Sequence, residues 1–360
     1  MDSDARQAHP PGSSPIAVSY DGGIYILYSM SLRQTGEVAI AGLDELSPAG
    51  DDRHLIVSTQ DRFRILDALD AEFTDIDFSA AEPGHVVPHA GRTTLFADGS
   101  GEVITFDPTT LGSGKPDTAV YRAAAAHHGA AIELTNGELV VTLGAEEKRI
   151  GVTVLDKDRK EIARNEDCPG AHGSATAENE TVVVGCQNGA LVYHNRVLRK
   201  VPGPTPYGRI GNLVGSDNSA IVLGDFKYGE QAELAGSQQV SLIDTAVGNM
   251  RLVDIGTNYT FRSLARGPAA EALVLGTDGR IHVLDPVAGT VSRTIPVIDA
   301  WQEPQHWQQP RPALFVRGDM AYVTDPAMKM VHRIDLAAGM VAATATLPAA
   351  PNELSGVVPR

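Results

Sequence analysis

One pattern of apolar and polar positions recurs along the chain: a short apolar strand, a turn, a second apolar strand, and then aspartate. It reads Arg64-Ile-Leu-Asp67, Ile104-Thr-Phe-Asp107, Val154-Leu-Asp156, Leu242-Ile-Asp244, Val283-Leu-Asp285 and Arg333-Ile-Asp335. The aspartates stand 40, 49, 88, 41 and 50 residues apart, and the 88 splits into 38 and 50 when His194 of Leu191-Val-Tyr-His194 takes the vacant place. Tyr28, at the end of Ile24-Tyr-Ile-Leu-Tyr28, lies a further 39 residues upstream of Asp67. Eight units follow. Their period, with strand-sized segments between Gly, Asp, Asn and Pro turns, predicts four-stranded propeller blades rather than helical repeats.

Within a unit the second strand is the most apolar, as in Leu139-Val-Val-Thr142, Thr181-Val-Val-Val184, Ala220-Ile-Val-Leu223 and Leu273-Val-Leu275. Strands of that kind are buried on both sheet faces. The first unit supplies only strands two to four, beginning at Pro15-Ile-Ala-Val-Ser-Tyr20, and the tail Asn352-Glu-Leu-Ser-Gly-Val-Val358 is free to serve as its inner strand. Joining both ends of the chain in one blade removes the exposed edges of an open array. The expected fold is therefore all-β: a single β-propeller of eight four-stranded blades over residues 15–360, with seven blades as the alternative, behind a flexible leader at 1–14.

Charge and hydropathy narrow the partners. Twenty-nine basic against forty-five acidic side chains leave a net charge of −16, which repels phosphate backbones and excludes nucleic acid as the expected partner. No run reaches the roughly 18 uncharged apolar residues of a membrane-spanning helix, so no membrane span is expected, and a monomer is. The leader, rich in Pro, Ser and Gly, lacks a basic segment followed by an apolar one. An exported form would therefore have shed its signal segment ahead of these residues.

Candidate chemistry lies in the histidines. In a propeller the starts of the inner strands converge on the central channel. Three successive units place histidine at the expected start of that strand, as Pro88-His89, His127-His128-Gly and Ala171-His172-Gly. His85 lies in the segment leading to His89, and His306, in Glu303-Pro-Gln-His306-Trp307, occupies the comparable region of the last blade. Neighbouring inner strands can aim several imidazoles at one point, and Zn²⁺ favours tetrahedral binding by imidazole nitrogen at about 2.0–2.1 Å. Glu82 or Asp167 could complete such a set.

The two cysteines, Cys168 and Cys186, are close enough in sequence for one local disulfide, which suits an oxidising compartment. That bridge would close about 17 residues and tie down the loop carrying His172. Two reduced buried thiols, or a Cys–Cys–His metal site, are the alternatives.

Taken together, Glu82-Pro-Gly-His85-Val-Val-Pro-His89, His127-His128-Gly-Ala, Asp167-Cys-Pro-Gly-Ala-His172-Gly and the paired Cys186 resemble the AztD family across nearly the whole propeller. AztD proteins are extracytoplasmic propeller zinc metallochaperones that pass the ion to the solute-binding protein of a zinc ABC importer. The resemblance implies periplasmic or cell-surface location and no enzymatic activity. It also implies that His85, His89, His127, His128 and His172 supply or surround a Zn²⁺ site beside the Cys168–Cys186 disulfide. A mobile histidine-bearing segment belongs to the same picture, and here the leader offers only His9.

Two other classes of function fit a propeller. One is a hub-metal enzyme, either a copper redox protein or a lactonase-like hydrolase using Asp44, Glu45 and Glu353 around a hard cation. The other is a metal-free scaffold that binds protein on one face. No phosphate loop, Gly-x-Ser-x-Gly elbow or His-Glu-x-x-His pair is present.

Overall fold

The computed structural model describes residues 14–145, 147–229 and 237–358; the leader before Ser14, with His9, lies outside the described residues. Eight sheets of four antiparallel strands each account for nearly all the regular structure, and the first strands of neighbouring blades touch one another around a hub for every neighbouring pair except that of blades four and five. The eight-bladed expectation holds.

Blades are numbered here from the N-terminus. In blade one the C-terminal segment Leu354–Gly356 is the innermost strand and pairs with Pro15–Tyr20, Ile16 standing opposite Gly356 and Val18 opposite Leu354. The closure is reinforced by long side chains. Arg317 of blade eight donates to the carbonyls of Ser14, Pro15 and Val357, so one guanidinium holds both ends of the chain.

The recurring aspartate has a local cause. It closes the third strand, and its carboxylate accepts backbone N–H groups of the turn to the fourth. Asp67 takes those of Leu69 and Asp70, Asp244 those of Ala246 and Val247, and Asp285 those of Val287 and Ala288. An acceptor two or three residues ahead of those donors substitutes for a backbone turn bond. Between blades, the second and third strands pack face to face: Val182, Val184 and Leu191 of blade five lie against Val140, Val152 and Val154 of blade four. Burying one such side chain fully contributes about 1.5–3 kcal/mol.

Strand direction alternates within a blade. The connections from each fourth strand to the next first strand therefore emerge on the same face as the hairpins between second and third strands. That face carries the site.

Candidate metal centre

Three inner strands begin side by side on this face: Pro83–His89 in blade three, Ala131–Glu133 in blade four and His172–Ala177 in blade five. His85 lies two residues inside its strand, His128 just before its own and His172 at the start of its own, 43 and 44 residues apart. Each offers one ring nitrogen, and the three nitrogens all lie within 4.8 Å of one another. The ring centroids are 4.9 Å apart for His85 and His128, 5.5 Å for His85 and His172, and 4.8 Å for His128 and His172. Two ligands on a tetrahedral ion at about 2.0–2.1 Å stand about 3.3 Å apart, so small side-chain rotations suffice to close the set.

Hydrogen bonds fix which nitrogens face inward. His172 Nδ1 donates to the Gly211 carbonyl at 2.7 Å, and His128 Nδ1 donates to Asp98 Oδ2 at 2.5 Å. Each bond leaves Nε2 pointing at the cluster, and the two Nε2 atoms lie 3.0 Å apart. Two imidazole lone pairs cannot face each other at that distance without a proton or a cation between them. His85 Nε2 is buried with no hydrogen-bond partner, which costs free energy unless something else is bound there. The donor set, three imidazole nitrogens and no hard oxygen, fits zinc or copper rather than calcium.

Electrostatics favour the metal-binding form. Burial, and then the neighbouring His128, holds the His85 imidazole down at about 4 from an ordinary 6.5. Burial, and then His85 and His128, likewise keeps His172 well below its ordinary value. Only a neutral imidazole has a lone pair to give a metal, so both rings are already in the state a cation needs. The His128 side chain is 44% exposed, which leaves the cluster open to solvent on one side.

Glycines make room for this arrangement. Gly173 has a φ of +65°, and a Cβ there would meet the Gly211 carbonyl oxygen at 2.2 Å, the same oxygen that holds His172. At Gly84 an added Cβ would meet Asp98 Oδ1 at 2.2 Å. Asp98, in the hairpin of blade three, also accepts the Gly129 N–H at 3.2 Å and so orients the histidine of the next blade. This carboxylate escaped the sequence reading because Asp98-Gly-Ser-Gly looks like any hairpin turn. Its only signal was its position on the hub-facing connection between strands two and three.

The remaining sequence candidates lie elsewhere. His89 is the last residue of its inner strand, not the first, four residues or about 13 Å along the strand from His85. There its Nε2 meets Glu180 Oε1 at 3.0 Å on the opposite face. The strand starts earlier than expected, at Pro83, so the blade phase falls on His85. His127 turns away between blades, with Nδ1 on the Ala125 carbonyl at 2.9 Å and Nε2 3.0 Å from the Thr142 hydroxyl. Asp167 faces Asn188 and Lys200, and Glu82 is an exposed turn residue with a φ of +51°. His306 is exposed in the loop before blade eight, where its N–H donates to Gln309.

Cys168 and Cys186 form a disulfide, their Cα atoms 4.9 Å apart. No thiolate is left for a Cys–Cys–His metal site, and the bridge fixes the loop that enters at His172. The acidic trio of the hydrolase alternative does not assemble around an open position either. Glu353 spends its oxygens on Arg262 Nη2 and the Leu46 N–H, each at 2.7 Å.

No family model matches the chain. The zinc chaperone AztD of Citrobacter koseri is 25% identical over 270 residues, 72% of this chain and 62% of the relative; the match thus spans less than two thirds of that protein. Two solved structures of Citrobacter koseri AztD, one of them the apo form, superpose with a TM-score of 0.82 at 21% identity, covering 95% of this chain and 96% of theirs. A more distant structure, the dihydro-heme d1 dehydrogenase NirN, reaches 0.66 at 12% identity over 98% of this chain and 77% of its own. In its eight blades, its histidine-bearing inner strands and a sequence match running through most of the propeller, the chain is similar to AztD of Citrobacter koseri.

Proposed function

We propose that this protein is a zinc-binding metallochaperone that holds Zn²⁺ at His85, His128 and His172 and delivers it, outside the cytoplasm, to the solute-binding protein of a zinc ABC importer. The observation that carries this reading is the convergence of three inward-facing imidazole nitrogens, one of them buried without a partner. A relative named as a zinc chaperone supports the choice of ion and of a non-enzymatic role. The disulfide supports an oxidising compartment.

The mechanism follows from needing affinity and release at one site. Three neutral imidazoles bind the ion and leave its fourth position open on the exposed His128 side. A ligand from the acceptor enters there, and the ion passes by stepwise exchange without ever being free. Mixed with the apo solute-binding protein of a zinc importer, the zinc-loaded protein should transfer its ion faster than it loses zinc to a chelator such as EDTA. Equal rates would remove the delivery role.

Binding should also have an unusual pH profile. Burial keeps His172 neutral well below the ordinary 6.5 and holds His85 neutral until the pH falls towards about 4, so the metal-binding form of these two rings persists below 6.5. Zinc titrations should therefore retain tight binding at pH 5.5. A midpoint near 6.5 would mean that these rings titrate as they do in free solution. For the apo protein the sign is the same: between about 4 and 6.5 the unfolded chain binds more protons, so stability falls as the pH is lowered through that window.

A further inference from the structure

Two carboxylates, each carried at the end of a second strand, flank the metal cluster. On the side of blade three, Asp98 follows the strand Arg92–Ala97 and holds the His128 ring directly. On the side of blade six, Asp225 closes the strand Ile221–Asp225 and reaches the cluster through one peptide group. Its Oδ1 accepts the N–H of Gly211 at 2.6 Å and that of Asn212 at 3.0 Å, and its Oδ2 accepts Asn212 Nδ2 at 3.0 Å. The Asp225 N–H donates back to the Asn212 carbonyl at 3.0 Å, so hairpin and inner-strand entrance hold each other.

The Asn212 N–H and the Gly211 carbonyl belong to the same peptide group, and that carbonyl accepts His172 Nδ1–H at 2.7 Å. The order is therefore carboxylate, peptide, imidazole, cluster. A peptide whose N–H donates to a carboxylate is polarised, and its carbonyl becomes the stronger acceptor. A stronger acceptor on one ring nitrogen fixes the tautomer of a metal-binding histidine and makes its other nitrogen the better donor.

Capping the turn does not by itself explain a carboxylate here. Asp225 is 2% exposed, and taking a charge out of water is costly unless it is balanced. An asparagine would accept the same two N–H groups without that cost. Arg209 packs on the same glycine: a Cβ at Gly211 would meet Arg209 Cζ at 3.4 Å and Asp225 Oδ2 at 3.6 Å. Arg209 also disfavours positive charge on His172, and the carboxylate beside it offsets that opposition when a cation arrives.

We propose that Asp225 is a positioning residue of the metal site, which acts through the Gly211–Asn212 peptide to hold His172 with Nε2 towards the cluster and to strengthen that nitrogen as a ligand. The inference rests on the zinc-binding reading above. Asp225 acts on the ion only by way of His172, which is what the test exploits.

In the full chain, Asp225→Asn should weaken zinc binding about tenfold, the low end of what the loss of an outer partner costs, as read by competition with a chromogenic chelator. Combined with His172→Ala, the same substitution should have almost no further effect, whereas combined with His128→Ala it should keep its tenfold. In ¹⁵N-labelled apo protein the His172 ring should move from the Nδ1–H form towards a mixture of tautomers, a change that a general loss of stability does not produce. Asn212→Ala removes only the side-chain donor to Oδ2; it should give a smaller loss with the same dependence on His172, and it decides the matter by the same criteria if Asp225→Asn does not fold. Wild-type affinity, a loss undiminished by His172→Ala, or an unchanged His172 ¹⁵N spectrum overturns the positioning role and leaves the zinc reading standing. A His172→Ala protein that binds zinc as tightly as wild type overturns both.

Discussion

Replacing His128 or His172 with alanine is expected to weaken zinc binding by roughly 10²–10³-fold. A structural zinc site is worth about 10–16 kcal/mol, and one ligand in four accounts for about 2.5–4 kcal/mol of that. His85→Ala should cost as much, since its buried Nε2 has no other partner. The contrast with the neighbouring histidines makes the test sharp. His89→Ala removes only the bond to Glu180 at the far end of the strand and should leave zinc affinity unchanged. His127→Ala empties a buried position with both nitrogens engaged and should lower stability rather than affinity. Asp98→Asn keeps the shape but weakens the hold on His128 Nδ1, a change that typically costs about 10–100-fold in affinity. Competition with a chromogenic chelator reads the whole series. Equal losses for His89→Ala and His128→Ala would move the site off the assigned trio.

Removing the disulfide should have the largest effect on stability. A bridge closing about 17 residues is worth roughly 3 kcal/mol in the chain-entropy account. Both cysteines are fully buried, so a mild reductant does not reach them in the folded protein, and the double variant Cys168→Ala/Cys186→Ala is the proper probe. Urea unfolding should show that loss. Zinc affinity should fall too, because Cys168 lies four residues before His172 and sets how its loop enters the inner strand. An unchanged unfolding midpoint would mean that the bonds from Cys168 N–H to the Ile150 carbonyl and from Gly170 N–H to the Arg149 carbonyl hold the loop by themselves.

The fold was legible because each blade repeats a local solution. Asp67, Asp244 and Asp285 recur since every third strand must be turned into a fourth, and a carboxylate at that place satisfies the turn's N–H groups. The closing strand at Leu354–Gly356 could be foreseen from a first unit that lacked an inner strand. The likeness to AztD was readable from the same histidine segments. The site was readable only in part: five histidines were in view, and three converge.

What separated them is strand register, which sequence spacing determines poorly. His85 and His89 share one strand, and a start at Pro83 instead of His89 sends them to opposite faces of the hub. His127 and His128 are adjacent in the connection ahead of the inner strand, where the chain bends at His128, and they point apart, one between blades to Thr142 and one towards His172. Asp98 and Gly211 are invisible as site residues until circular closure brings three blades together. The sequence alone determined the number of blades, the way the ring is sealed and the pool of candidate ligands, because these follow from local patterns repeated along the chain. Only the tertiary structure decided which imidazoles converge and which partners aim them, because those are contacts between residues some forty positions apart whose meeting depends on the register of every strand between.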